Sequence, residues 1–183
     1  MIRVAVLIVS LCLFSELLSA QSLEDTQDFL KEQIEGNPTL PNYKNTVLFS
    51  DLRKIDAEHI AGRSLTQAEY ENLFICGRDL YVDESLSKVF LSVIEIADIR
   101  GIKKISSTRS MQGGDVFYTV NVYFTDGYLS VKYEDGYGNP KRTSTSKMTI
   151  LLGNNEQAAE KIKRALIHLG KLKGVQIKDG DLF

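Results

Sequence analysis

The chain has 183 residues, with 22 Lys and Arg against 24 Asp and Glu and a formal net charge of −2. That near-neutral balance excludes bulk electrostatic binding to nucleic acid or to an anionic membrane. Two cysteines, Cys12 and Cys76, are too few for the small disulfide-stapled classes, so the fold must rest on a hydrophobic core.

Met1-Ile2-Arg3 is a short positive start, Val4 to Leu18 is an apolar run broken by Ser10, Ser15 and Glu16, and Leu18-Ser19-Ala20 precedes Gln21. Residues 1–20 read as a secretory signal peptide cut between Ala20 and Gln21. The expected location is exported, periplasmic or extracellular, with no stable membrane insertion after cleavage. A retained membrane anchor is the rival reading, although Val4 to Phe14 is about half the roughly 20 residues of a spanning helix. A lipid anchor on Cys12 is disfavoured, because bulky Leu11 stands where lipoprotein signals carry a small residue. Cleavage removes Arg3, Glu16 and Cys12, so the net charge stays at −2 and Cys76 stands alone. Its setting, Leu73-Phe74-Ile75-Cys76, predicts a buried, inert thiol, since apolar surroundings raise a thiol pKa.

Residues 21–45 are expected to form a helix and a linker. Ser22-Leu23-Glu24-Asp25-Thr26 opens the helix, Phe29, Leu30 and Ile34 form its apolar stripe, and Gly36-Asn37-Pro38 ends it. The main domain, 46–174, begins with a strand at Thr46 to Ser50. Asp51 to Asn72 is ambiguous: Thr66-x-x-Glu69 has the spacing of a capping box, yet the same stretch could hold an edge strand. Leu73 to Val82 and Lys88 to Ile96 have strand composition, the first interrupted by Gly77, and Ile102 to Ile105 is a further candidate. Gly113-Gly114 reads as a turn between strands.

From Val116 onward Tyr118, Val120, Val122 and Phe124 alternate with Phe117, Thr119, Asn121 and Tyr123. Asp126-Gly127 predicts a tight hairpin, with Leu129, Val131 and Tyr133 on the returning strand. A looser turn at 135–140 leads to a third strand, Ser144 to Leu152, with Met148, Ile150 and Leu152 inward. The pattern is an antiparallel meander with one wet face. A helix follows, with Asn154 as N-cap, Gln157 at the capping-box position and Gly174 as its stop. Ala158, Ile162, Ala165, Leu166, Leu169 and Leu172 share one arc, and Lys161, Arg164, His168 and Lys171 fall outside it. The tail, 175–183, is a last strand or frayed.

This order resembles a pleckstrin-homology-like (PH-like) domain, and three segments carry the resemblance. Asp25-Thr26-Gln27-Asp28-Phe29-Leu30-Lys31 is similar to the opening helix of a group of bacterial exported domains of this type. Ser92-Val93-Ile94-Glu95-Ile96-Ala97-Asp98-Ile99 is similar to their middle strand. Glu160 to Leu169 resembles their closing helix. The resemblance implies a mainly β (α+β by content) fold: an antiparallel β-barrel or two-sheet roll with an N-terminal helix and a closing amphipathic helix. It implies no active site. The tryptophan that many eukaryotic members carry in the closing helix is missing, and Asp51-Leu52-Arg53-Lys54-Ile55-Asp56 is mixed in sign, so lipid-headgroup binding does not carry over.

No catalytic, cofactor or metal site is expected. The two histidines, His59 and His168, stand in no cluster of ligands. Asp126-Gly127 and Asp135-Gly136 are single-acid turns, unlike an acid-rich calcium loop. No Gly-x-Ser-x-Gly elbow and no phosphate loop occurs. Ile167 lies on the polar arc of the closing helix, so Arg164, Ile167, His168 and Lys171 are the partner-contact candidates, with cover by the N-terminal helix as the alternative for Ile167. The expected function is non-catalytic binding or scaffolding of a protein or peptide. A lipocalin-like carrier of a small molecule such as a lipid is the alternative, although the Gly-x-Trp signature is missing. A hydrolase with dispersed carboxylates comes third.

Overall fold

Ser22 accepts a hydrogen bond from the Asp25 backbone N–H, and the Asp25 carboxylate accepts one from the Ser22 N–H. This capping box starts α1 (Leu23–Glu35) in the computed structural model. The structure describes residues 22–38, 43–49, 52–81, 90–112, 114–136 and 140–181. The signal-like segment with its Ala20–Gln21 junction lies outside the described residues. After α1 come β1 (Tyr43–Leu48), α2 (Lys54–Ala61), the single turn α3 (Gln67–Tyr70), β2 (Leu73–Tyr81) and β3 (Phe90–Asp98). Then follow β4 (Ile102–Gln112), β5 (Asp115–Phe124), β6 (Ser130–Gly136), β7 (Lys141–Ser144), β8 (Lys147–Leu152), α4 (Glu156–Leu172) and β9 (Lys178–Asp179).

The fold is α+β, with two sheets. The first has the order β1-β2-β3-β6-β7 and is antiparallel throughout. The second has the order β8-β5-β4-β9, antiparallel except for the β4–β9 pair. The chain passes between sheets after β3, β5 and β7, and four backbone hydrogen bonds lace these crossings together. Thr125 N–H donates to Gly101 O, Asp98 N–H to Leu129 O, Phe124 N–H to Ser146 O, and Thr145 N–H to Ser130 O.

Two expectations are corrected here. The sheets do not close into a barrel, because their edges are finished separately. The Glu35 carboxylate accepts from Val47 N–H on the β1 edge, and β7 is only four exposed residues long, with Lys141 and Arg142 on it. Asp126-Gly127 is not a hairpin turn. β5 and β6 belong to different sheets, and Leu129 leaves the turn for a second apolar cluster. Alternation identifies a strand but not the sheet it joins. The tight hairpin is instead β4–β5, where Gln112 pairs with Asp115 and Gly114 adopts φ 95°.

The main core lies between α1, α4 and the inner faces of both sheets, filled by Leu30, Ile34, Phe74, Ile105, Val120, Val122, Phe124, Met148 and Ile150. A smaller cluster packs Ala57 and Ile60 of α2 on the opposite face of the first sheet, against Leu73, Ile75, Ile96 and Tyr133. The first sheet is therefore covered on both faces, which is why Leu73-Phe74-Ile75-Cys76 is apolar without alternation. The ambiguous stretch is helical, α2 and α3, and the Thr66–Glu69 capping box is formed. β1 begins inside the expected linker, and β4 runs far beyond Ile105.

Ala158, Ile162, Leu166 and Leu169 are buried on the inner side of α4, as the helical spacing requires. The cap is Asn155, not Asn154: its side chain accepts from Ala158 N–H at 3.0 Å, so Gln157 does not stand at the capping-box position. Gly174, at φ 73°, follows the helix end. The tail then returns as β9. Gly170 leaves room for Ile177 of this return, since a Cβ there would lie 2.3 Å from Ile177 Cδ1 and force that side chain to shift.

Candidate functional site

Glu95 is the acid in an otherwise apolar strand. Side chains alternate along β3, so Glu95 faces the same way as Val93 and Ala97, toward the main core. In register it stands between Cys76 on β2 and Lys132 on β6. It is buried, with 5% exposure. Burial pushes its carboxyl pKa up, against the pull of Arg78, Lys132, the Thr149 backbone N–H and Lys147. Lys132 makes its ion pair with Glu134, and among the described residues no cation comes within ion-pair distance of Glu95. Beside it, burial pushes the Cys76 thiol up to about 12, and the Glu95 charge adds to this.

This pair has a clear chemical limit. A carboxyl with a raised pKa can hold and release a proton. A thiol pushed to about 12 supplies no thiolate near neutral pH, so the neighbouring Cys76 is not an activated nucleophile. Sequence reasoning passed over Glu95 as a strand residue. The available signal was a single acid inside Phe90-Leu91-Ser92-Val93-Ile94-Glu95-Ile96.

The four partner-contact candidates lie on α4 but do not form one exposed surface. Arg164 and Lys171 are exposed. Ile167 is half-buried and packs against the main core, and α1 lies alongside α4. His168 is half-buried, and its Nε2 is enclosed without a hydrogen-bond partner among the described residues. The helical wheel predicted a solvated His168. It counts only the residues of its own helix, whereas α1 and the returning tail also pack against α4.

Lys163 is a charged residue buried on α4. Its ammonium lies 2.7 Å from Asp181, 3.0 Å from Glu160 and 3.4 Å from Asp179. Asp181 also accepts from the Ser107 backbone N–H and hydroxyl. Burial works against the Lys163 charge, but hydrogen bonds to Asp181 and Glu160 outweigh it and raise its pKa. Burial likewise opposes the Asp181 charge, and Lys163 and Ser107 overcome it and lower that pKa. The cluster pins the tail to α4 and β4.

Elsewhere, His59 sits on α2 with its ring 6.0 Å from that of Tyr133, and its carbonyl accepts from Arg142. An apolar cavity of about 170 Å³ opens beside Gly77, lined by Leu48, Leu52, Ile60, Ile75 and Ile94. Among the described residues no group of three or more His, Cys, Asp or Glu could hold a metal ion, and no helix is long and apolar enough to cross a membrane. No family model, curated protein or solved structure matches this chain.

Proposed function

We propose that this chain is a non-catalytic, exported binding or scaffolding module that recognises a protein or peptide partner. The observation that carries this reading is the filled interior. Phe74, Phe124, Met148, Ile150, Ile162 and Leu166 occupy the space where a carrier would hold its ligand. The cavity beside Gly77, about 170 Å³, is smaller than the roughly 300–1,000 Å³ of a typical small-molecule site, and a larger hollow of about 580 Å³ lies against the start of α1, lined mostly by polar Ser22, Glu24, Gln27, Asp28 and Lys31 with Leu23 and Phe49. Export rests on the signal-like segment 1–20, and kinship with PH-like domains rests on the helix–strand–helix order.

Native mass spectrometry of the purified mature protein tests the proposal. A clean apo mass starting at Gln21 is expected. A stoichiometric co-purifying lipid would overturn it in favour of a carrier, and covalent labelling of a single residue by a serine- or cysteine-hydrolase probe would overturn the non-catalytic part.

A further inference from the structure

Among the described residues, the helix that packs on the second sheet, α4, lies on its inner face. On its outer face, the row nearest the crossings brings together Lys104 of β4, Tyr123 of β5 and Lys147 of β8, with Lys178 of β9 in register beside Lys104. Lys104 Nζ and Lys147 Nζ lie 5.8 and 5.9 Å from the centre of the Tyr123 ring, within reach of its π-face. The β-bulge between Ile102 and Lys104 adds exposed Lys103 at the same point. Among the described residues, no carboxylate lies within ion-pair distance of these four lysines. The acids nearest in register or sequence are Asp126 on the turn after β5, Asp179 on β9, which pairs with Lys163, and Glu95, whose charge feels Lys147.

The next two rows form a polar floor. Asn121 Nδ2 donates to the hydroxyls of Thr108 and Thr119, those hydroxyls share a hydrogen bond of 2.6 Å, and Thr149 Oγ1 donates to Asn121 Oδ1. These groups satisfy one another along the sheet, and Asn121 and Thr119 are buried, so contact with a partner falls to the lysine row.

We propose that this outer face is the docking surface for a short acidic peptide in extended conformation, its carboxylates meeting Lys104 and Lys147 across Tyr123. The inference rests on the binding-module reading and names its surface and partner chemistry. The spacing supports it. Lys104 and Lys147 are two strands apart, about 10 Å. Acids three residues apart on a polyproline-type segment share one side at about 9 Å. The charge balance separates a peptide from a long polyanion. Beyond the lysine row a polyanion meets a molecule of net charge −2, whereas a short acidic segment meets only the row.

The test is fluorescence anisotropy at low ionic strength with a labelled Glu-Pro-Pro-Glu-Pro-Pro-Glu peptide and its all-glutamine counterpart. The glutamate peptide should bind saturably and the glutamine peptide should not. Lys104→Glu with Lys147→Glu should weaken binding about tenfold or more. Lys104→Gln with Lys147→Gln should weaken it less, giving a second reading if the reversal disturbs folding. In the wild type, amide shifts should concentrate at Tyr123 and its neighbours. Absence of binding by wild type would overturn the proposal. So would tighter binding of heparin or oligothymidylate than of the peptide. If Arg164→Glu with Lys171→Glu abolishes binding while the lysine-row variants keep it, this surface is wrong and the binding-module reading survives. A lipid in the native mass spectrum would instead remove that parent reading.

Discussion

Lys163 on α4 and Glu95 on β3 are withdrawn from solvent to the same degree, 4% and 5% exposed, but are handled in opposite ways. Lys163 has three carboxylates within 3.4 Å, and its charged form is favoured. Among the described residues Glu95 has cations near but none in contact, and burial raises its carboxyl pKa. The difference is where the partners come from. Glu160 lies one turn away on α4 and the tail brings Asp179 and Asp181 to the same ammonium, whereas Lys132, in register with Glu95, makes its ion pair with Glu134. Burial alone therefore does not decide whether a group's charged form is favoured or opposed; a partner at contact distance reverses its effect.

The largest expected effect concerns the packing on which α4, and with it Lys163, depends. Leu166→Ala or Leu169→Ala should each cost about 2–5 kcal/mol, read from denaturant midpoints, since both side chains are fully buried. Losses below about 1 kcal/mol at both positions would mean that α4 is not docked.

Lys163→Met comes next. It should cost about 1–3 kcal/mol, because the three carboxylates it leaves are partly solvated and can recover water. Amide exchange at 178–181 should also speed up, and unchanged exchange there would remove its role as the tail's pin. The pH signs follow from the two shifts. The Lys163 contribution is complete below the ordinary lysine value of 10.5 and is lost as pH rises through its raised folded pKa. The Asp181 contribution is present above 3.8 and is lost as pH falls through its lowered folded pKa. The variant should lack the alkaline loss.

Glu95→Gln sharpens the other half of the comparison. With a raised carboxyl pKa, the folded state binds more protons than the unfolded one between the ordinary 4.5 and the folded value. Wild-type stability should fall through that window as pH rises, by at most about 1.4 kcal/mol per pH unit. The glutamine variant should flatten this slope in urea midpoints collected across mildly acidic pH. An unchanged slope would mean that Glu95 is not its source. The smallest effect is expected at His168→Ala, within about 1 kcal/mol, because among the described residues the Nε2 that it removes has no partner to lose. A larger loss in thermal or urea unfolding would mean that the ring packs more than it exposes.

Local chemistry made much of this molecule legible in its amino-acid sequence. The Ser22 cap and the Leu30 and Ile34 stripe announced α1, the inward series Met148, Ile150 and Leu152 announced β8, and Ala158, Ile162, Leu166 and Leu169 announced α4. Each depends only on neighbours within a turn or a few strand residues. The buried thiol of Cys76 followed from its apolar run in the same way. Sheet membership was decided only in three dimensions. Asp126-Gly127 has the composition of a hairpin turn, but Leu129 finds its burial in the second cluster, which sends β6 to the other sheet. The lysine row across Tyr123 likewise exists only through pairing, since Lys104, Tyr123, Lys147 and Lys178 are far apart along the chain. The fates of Lys163 and Glu95 were also set by tertiary contact. A wheel or an alternation pattern assigns a side chain to a face, but whether that face meets a carboxylate, a thiol or water depends on segments brought there by the rest of the fold.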